Sequence, residues 1–244
     1  MATPFLALTA LPCQGACSKE NDVNRAPLQL WPPAFDVAIF DFDGTIAATG
    51  WIWEEVDRIF LGARGIPYTE EYARVLSTLG FAGGAEYTIE TYGLHEKPED
   101  ICAEWTRLSH ALYCTRVVLR EGVEEYIKAL RASGVRTALA TANEPELISS
   151  IRKIDMDSLF DTLVHGRDVN ATKEQPDIYL EAARRLGAEP ARCMVFEDIV
   201  PGICAARDAG FMTCGVASGE PAQLEDVVRQ EADIFIEDWT CIPL

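Results

Sequence analysis

Apolar strand-like runs alternate with amphipathic helical stretches along most of this 244-residue chain. Short apolar runs that end in turn-forming residues predict strands over residues 37–43, 135–141, 162–166, 193–198, 212–216 and 234–237. Helical spacing of apolar residues between them predicts helices over 122–133, 145–154, 177–186, 201–209 and 221–230. Strands that alternate with helices build right-handed βαβ units. We therefore expect an α/β protein with a three-layer, Rossmann-like core and a mostly parallel sheet.

One region interrupts this alternation directly after the first predicted strand. Helical patterns occur around residues 51–60, 69–78, 85–92 and 98–114, and no strand is predicted between them. We interpret residues 48–116 as an inserted α-helical cap, which can act as a lid over the ends of the strands. The predicted domains are then an irregular tail (1–34), the catalytic core (35–47 with 117–244) and the cap.

Composition excludes some classes of partner. The chain carries 39 acidic and 21 basic residues, a formal net charge of −18, which argues against nucleic acid as a partner. The apolar run over residues 5–11 is too short to span a bilayer and has no basic flank, so we expect no membrane association. Four of the eight cysteines lie in apolar or helical runs, which is typical of reduced thiols. We expect a cytoplasmic protein that acts as a monomer or weak dimer.

Two carboxylates follow the first predicted strand in the segment Asp41–Phe42–Asp43–Gly44–Thr45. Residues two apart in a strand point to the same side, so Asp41 and Asp43 are expected to face one place at the carboxyl end of the strand. Parallel α/β folds bind their ligands at that edge. Two like charges placed together there need a cation or a transferable proton, which indicates a catalytic task.

Three other predicted strands also end in polar residues. Thr141 closes the second strand, and its hydroxyl and the turn amides that follow, including that of Ala142, can hold a phosphate oxygen. Lys173 follows the third strand and can place a positive charge on a phosphate. Glu197 and Asp198 close the fourth strand. Because the carboxyl ends of parallel strands share one edge of the sheet, these residues are expected to converge.

This set is suited to Mg2+-assisted phosphoryl transfer. Such a site needs a nucleophile, neutralisation of the phosphate oxygens and an acid for the leaving oxygen. Asp41 is the candidate nucleophile, and Asp43 is the candidate that protonates the leaving group and then activates water. Mg2+ prefers hard oxygen ligands, which the carboxylates of Asp41 and Asp198 and the backbone carbonyl of Asp43 would supply.

The order and content of these four motifs resemble the haloacid dehalogenase superfamily of phosphohydrolases, in particular its β-phosphoglucomutase-like branch with a helical cap. The resemblance runs from about residue 35 to 238. It implies that Asp41 is the nucleophile and Asp43 the acid/base, and that an aspartyl-phosphate forms during turnover. It also assigns phosphate binding to Thr141 and Lys173, with Asn143 at a polar position beside the phosphate loop. The resemblance assigns the metal site to Asp198, and Glu197 matches an acidic position around it.

Several departures from that branch bear on the reaction. The third motif often reads Lys-Pro-x-Pro-Asp, whereas residues 173–177 read Lys-Glu-Gln-Pro-Asp. A cap histidine of the mutases lies ten residues after the acid/base aspartate, where this chain has Trp53. The mutase cap loop that supplies an arginine corresponds to residues 80–83, which contain none. These losses favour hydrolysis. The cap residues that we expect near the substrate are Trp53, Phe81 and Glu86.

The leading hypothesis is therefore a Mg2+-dependent phosphatase that acts on a small phosphorylated metabolite, such as a sugar or polyol phosphate. A sugar-phosphate mutase of the β-phosphoglucomutase type is the alternative among enzymes. Receiver domains also use a strand-end aspartate, a lysine and an acidic Mg2+ site, but they are shorter and lack the inserted region and the second aspartate. A binding protein without turnover is the remaining alternative.

Overall fold

The computed structural model describes residues 28–169, 173–220 and 223–244. Most of the predicted tail lies outside these ranges, as do the first two residues of the helix predicted over 221–230. The described end of the tail, residues 28–34, forms turns. There the carbonyl of Leu30 accepts a hydrogen bond from the hydroxyl of Tyr126 at 3.2 Å.

The described residues form two compact units. One, the helical unit, is Trp51–Tyr113; the other, the α/β unit, is formed by residues 28–50 and 114–244. The limits that the sequence predicts for the cap, residues 48–116, remain a proposal for the domain boundaries.

The α/β unit is built on a six-stranded sheet, and every pairing in it is parallel. Its strands are β1 (Val37–Phe40), β2 (Arg136–Thr141), β3 (Thr162–His165), β4 (Cys193–Glu197), β5 (Met212–Val216) and β6 (Ile234–Ile236). Their spatial order is β3-β2-β1-β4-β5-β6. The chain moves outward from β1 to β3 and then returns to the other side of β1 with β4. The crevice at the carboxyl ends of β1 and β4 is thus the topological switch point, where such folds bind ligands.

Helices connect these strands. In chain order they are α1 (Trp51–Gly62), α2 (Glu70–Tyr92), α3 (Pro98–Arg116), α4 (Val123–Ala132), α5 (Pro145–Ser150), α6 (Met156–Leu159), α7 (Gly166–Val169), α8 (Asp177–Arg185), α9 (Val200–Asp208) and α10 (Glu225–Glu231). Short 3-10 turns occur at Pro190–Arg192 and Trp239–Cys241. The predicted α/β class with a Rossmann-like core is confirmed.

Both faces of the sheet are covered, as near-continuous apolar strands require. Successive side chains of β1 alternate, and Val37 and Ile39 pack on one face with Ile178 and Tyr179 of α8. On the other face Phe40 stacks on Phe196 of β4, with ring centroids 4.6 Å apart. Tyr126 of α4 and Trp239 extend this aromatic layer, each within 6 Å of the Phe196 ring. Both layers lie directly beneath the residues that follow β1 and β4.

Two details of the sequence prediction were wrong. The first strand ends at Phe40 and not at Asp43, so Asp41 and Asp43 lie in the loop that follows it. In the helical unit, the helices predicted over 69–78 and 85–92 are one continuous helix, α2. Residues 80–83, which the sequence suggested to be a loop, lie inside it.

None of the described helices combines the length and the apolar character that crossing a bilayer requires.

Candidate active site

Asp41 occupies the first position after β1, and its surroundings are almost dry. Only 1% of the residue is exposed, and its backbone N–H donates to the carbonyl of Phe196 at 3.0 Å. This hydrogen bond extends the β1–β4 pairing by one residue, so the carboxylate lies at the switch point of the sheet. A carboxylate buried in this way is unfavourable unless positive charge lies beside it.

Lys173 supplies that charge. Its ammonium forms ion pairs with Oδ1 of Asp41 and, at 2.9 Å, with Oε1 of Glu197. The side chain is 15% exposed. Burial works against the charged form of Lys173, but Asp41 and Glu197 outweigh it and raise the pKa of the ammonium. Lys173 therefore remains a cation at the centre of the site.

Glu197 and Asp198 complete an acidic cluster with Asp41. One carboxylate oxygen from each of the three lies within 4.8 Å of the other two. Oε2 of Glu197 accepts the backbone N–H of Asp198 at 2.8 Å, while its Oε1 accepts the hydroxyl of Tyr179 at 3.2 Å. Glu197 is fully buried and is held by Lys173, Tyr179 and the backbone together.

The electrostatics of this cluster call for a further cation. Burial, followed by the charge of Glu197, raises the pKa of Asp41 well above its usual value. The same two causes raise the pKa of Asp198 to about 8. Among the described residues, three carboxylates face one ammonium. The hydroxyl of Thr45 lies 3.2–3.5 Å from an oxygen of each carboxylate, but its one proton cannot satisfy all three. An all-oxygen donor set with excess negative charge fits a hard divalent cation such as Mg2+.

Two glycines let the backbone approach this cluster. Gly44 has a φ of +75°, and a Cβ there would overlap the carboxylate of Asp198. A Cβ on Gly202, in the first turn of α9, would overlap the carboxylate of Glu197. Both positions therefore require glycine for space, and Gly44 also requires it for its left-handed backbone.

Asp43 has different partners from Asp41. Its Oδ2 accepts a hydrogen bond from Nδ2 of Asn143 at 2.5 Å. The backbone N–H of Asn143 donates to the hydroxyl oxygen of Thr141 at 3.2 Å, and Thr141 is fully buried at the end of β2. Ala142, between them, is exposed. The loop after β2 thus connects the predicted phosphate-binding residues to the predicted acid/base.

The predicted substrate residues of the cap lie in the helical unit. Trp53 of α1 and Phe81 of α2 form an edge-to-face pair with ring centroids 5.2 Å apart, and both are more than 40% exposed. Glu86 is exposed further along α2. Their role toward a substrate stays a prediction.

Sequence reasoning missed some members of the site. Thr45 lies in the motif that follows β1 but was assigned no role, although its hydroxyl is within hydrogen-bond distance of all three buried carboxylates. Tyr179 was hidden in the apolar pattern of α8. Arg120 anchors the turn by donating to the carbonyl of Gly44 at 2.6 Å. A hydroxyl or guanidinium near a motif gives no signal of its own in a single sequence, because only the fold shows what it faces.

Comparison with known proteins finds similar sequences and a similar fold. The model of the haloacid dehalogenase-like hydrolases matches residues 35–210. A phosphorylated carbohydrates phosphatase of Thermotoga maritima is 28% identical over 177 residues, 72% of this chain and 82% of its own length. A beta-phosphoglucomutase of Bacillus subtilis is 32% identical over 219 residues, 82% of this chain and 91% of its own. The crystal structure of a candidate beta-phosphoglucomutase from Thermotoga maritima superposes with a TM-score of 0.75 at 25% identity, covering 83% of this chain and 94% of that one.

The fold, the acidic cluster and these relatives define an enzyme of the phosphoric monoester hydrolase class. The chain belongs to the haloacid dehalogenase-like hydrolase family. The resemblance proposed from the four motifs is thereby confirmed.

Proposed function

We propose that this enzyme is a Mg2+-dependent phosphatase that hydrolyses a small phosphorylated carbohydrate through an aspartyl-phosphate on Asp41. The observation that carries the proposal is the buried carboxylate of Asp41, held by Lys173 within a cluster where, in the described part of the chain, three carboxylates face one ammonium. A nucleophile in such a place is kept from water and fixed in direction, which is the main requirement of phosphoryl transfer.

The metal would be held by the carboxylates of Asp41 and Asp198, with the backbone carbonyl of Asp43. When bound, Mg2+ supplies positive charge to the phosphate oxygens and to the crowded carboxylates. Glu197 is also within the cluster, but Lys173, Tyr179 and the N–H of Asp198 already occupy its oxygens. We therefore assign Glu197 to holding Lys173 and Asp198 in place around the ion.

The first step transfers the phosphoryl group to the enzyme. A carboxylate oxygen of Asp41 attacks phosphorus, and the bond between phosphorus and the sugar oxygen breaks. Asp43, as the carboxylic acid, gives its proton to the departing oxygen. The ammonium of Lys173, the hydroxyl of Thr141 and the backbone N–H of Ala142 hold the phosphate oxygens. The backbone N–H of Asn143 donates to the hydroxyl oxygen of Thr141 and so fixes that hydroxyl.

The second step restores the enzyme. Water attacks the phosphorus of the aspartyl-phosphate, and the Asp43 carboxylate accepts a proton from that water. The bond between phosphorus and the Asp41 oxygen breaks, so inorganic phosphate leaves and Asp41 returns as a carboxylate. Asp43 ends as the acid that the next turnover requires.

A phosphorylated carbohydrate is the proposed substrate because the Thermotoga maritima relative carries that description. Trp53, Phe81 and Glu86 are the cap residues proposed to select it. The Bacillus subtilis relative favours a mutase as the second candidate. Against it, Trp53 replaces the mutase histidine, and the residues that would supply an arginine lie within α2. Net release of phosphate separates the two reactions.

We further propose that the enzyme works in the cytoplasm as a monomer or weak dimer on a freely diffusing substrate. Five of the described cysteines are free thiols, which supports a reducing compartment: Cys102, Cys114, Cys193, Cys214 and Cys241. No part of the reaction requires nucleic acid or a membrane.

The test is phosphate release from a panel of sugar and polyol phosphates by the purified protein. We expect turnover with Mg2+, loss of turnover with a chelator, and loss in Asp41→Asn. Asp36→Asn is the matched control, because Asp36 lies just before β1 and pairs at the surface with Arg192. A wild-type protein that releases phosphate from no ester, or an Asp41→Asn variant that keeps its activity, would overturn the proposal.

A further inference from the structure

Asn143 contacts the proposed acid/base. The sequence assigns it to the phosphate loop, but its side-chain amide donates to Oδ2 of Asp43 at 2.5 Å. This hydrogen bond joins residues a hundred positions apart in the chain. Because the side-chain amide of Asn143 donates to Asp43, we do not assign it to phosphate binding.

The backbone of Asn143 is fixed on both sides. Its N–H donates to the hydroxyl oxygen of Thr141 at 3.2 Å, and its carbonyl faces Nδ1 of His165 at 2.9 Å. A carbonyl only accepts, so Nδ1 of His165 carries the proton. His165 is 7% exposed and lies opposite Thr141 in the β2–β3 pairing. The backbone N–H of His165 in turn donates to Asp168 at 3.2 Å.

This arrangement has a direct consequence for Asp43. A general acid must present its proton along one direction to the leaving oxygen. The oxygen that accepts the amide of Asn143 is the better place for negative charge, so the transferable proton belongs on the other oxygen, Oδ1. Asn143 thereby sets both the rotation of the Asp43 carboxyl and the oxygen that delivers the proton.

We propose that Asn143 is a positioning residue for Asp43, and that His165 holds Asn143 in place through its backbone carbonyl. The inference rests on the proposed function, since it specifies how the acid of that reaction is aimed. It replaces the expectation that the side chain of Asn143 binds phosphate.

The experiment compares two esters that need the acid to different degrees. An alkyl phosphate such as glycerol phosphate needs its leaving oxygen protonated, whereas p-nitrophenolate leaves without that help. The value of kcat/KM contains only the steps up to departure of the leaving group, so hydrolysis of the aspartyl-phosphate does not enter. Asn143→Leu, which keeps the volume but has no donor, is expected to lose about 100-fold on the alkyl ester, within the range of general acid catalysis. On p-nitrophenyl phosphate the expected loss is below about 5-fold.

Two further variants separate positioning from folding. His165→Asn keeps an N–H toward the carbonyl of Asn143, and His165→Leu removes it. We expect the loss specific to the alkyl ester in His165→Leu, about 10-fold, and its rescue in His165→Asn. Glu146→Gln, an exposed change in the first turn of α5, is the control and should alter hydrolysis of neither ester.

The outcomes are distinct. An equal loss on both esters in Asn143→Leu would mean that the side chain binds phosphate or only supports the fold, and the inference would be wrong. Equal activity of His165→Asn and His165→Leu would show that His165 does not hold Asn143 in place. A wild-type protein that hydrolyses neither ester would overturn the proposed function itself, and the inference with it.

Discussion

At the scale of single residues, Gly44 shows how closely the backbone is fitted to the acidic cluster. Its Cα faces the carboxylate of Asp198, its φ is +75°, and its carbonyl is held by Arg120. A side chain there would displace Asp198 as well as strain the turn. Gly134, at the end of α4, has a φ of +92° but open space around it.

Alanine substitutions at Gly44 and Gly134 separate the effect of backbone strain from that of steric overlap with Asp198. Gly134→Ala should lower the free energy of unfolding by about 1 kcal/mol, because alanine resists the left-handed conformation. Gly44→Ala should lower it by more, because its Cβ would also overlap the buried carboxylate of Asp198. Only Gly44→Ala should lower kcat, by roughly 100-fold or more, since it moves a residue of the acidic cluster. Denaturant unfolding and steady-state kinetics on both variants check this. Similar kcat values for the two variants would show that the fit around Asp198 does not matter.

For single residues, the sequence predicts the charged side chains of the site but not the residues that hydrogen-bond to them. Asp41, Lys173 and Asp198 each follow a strand, and the topology of a parallel sheet alone brings such positions together. Thr45 and Tyr179 were missed because a hydroxyl acquires meaning only through the atoms that it faces. The sequence also failed to predict that Asp41 and Asp43 have different partners, because β1 ends earlier than its apolar pattern suggests.

At the scale of elements, α2 shows where local propensity fails. Glycines at positions 80, 83 and 84 predict a break, since each glycine inside a helix costs about 1 kcal/mol relative to alanine. The helix continues because tertiary contacts stabilise it. Gly84 is buried against α3, and a Cβ there would lie 3.6 Å from the Trp105 ring. The strands were easier to predict because the central ones, β1, β4 and β5, are buried at every position and read as continuous apolar runs.

The continuity of α2 has a measurable consequence. Gly83→Ala should raise the free energy of unfolding by about 0.5–1 kcal/mol, because a Cβ there meets only Leu79, at 3.4 Å, and alanine is the better helix former. Gly84→Ala should raise the free energy of unfolding by less, since its Cβ would lie against Leu76 and Trp105. Thermal or denaturant unfolding checks both. A loss of stability in Gly83→Ala would mean that residues 80–83 form a loop after all.

Helix α1 carries a buried carboxyl whose titration should be visible in the stability. Burial, followed by the charge of Glu54, raises the pKa of Asp57 to about 7 in the folded state. The folded protein therefore holds this proton more tightly than the unfolded chain, and its contribution to stability falls as the pH rises from about 4 to 7. Asp57→Asn should remove this pH dependence, which amounts to a change of about 3 kcal/mol in the free energy of unfolding between about pH 4 and 7. Denaturant unfolding of both proteins at several pH values measures it, and parallel curves would contradict the assignment.

At the scale of the whole molecule, stability and function oppose each other in the acidic cluster. The chain carries a formal net charge of −18, and three of its carboxylates are buried beside one lysine. A cation that binds only the folded protein stabilises it by about 2.7 kcal/mol at a hundred times its Kd. Without the ion the cluster is a source of repulsion.

We therefore expect Mg2+ to raise the midpoint of thermal unfolding, and Asp198→Asn to abolish that response. In the absence of Mg2+ the variant should be more stable than the wild type by about 1 kcal/mol, because an amide replaces a carboxyl whose ionisation is opposed by burial and by Glu197. Calorimetry with and without Mg2+, in wild type and variant, measures both effects. An Asp198→Asn protein that responds to Mg2+ as the wild type does would place the ion elsewhere.

The most direct test of the account is to find the phosphoryl group on Asp41 during turnover. Wild-type enzyme mixed with excess sugar phosphate and Mg2+, quenched rapidly in acid and digested, should yield a phosphorylated peptide that contains Asp41, detected by its mass. The same peptide from Asp41→Asn should carry no phosphoryl group. Turnover by the wild type with the Asp41 peptide unmodified at every quench time, or with the phosphoryl group on another residue, would contradict the account.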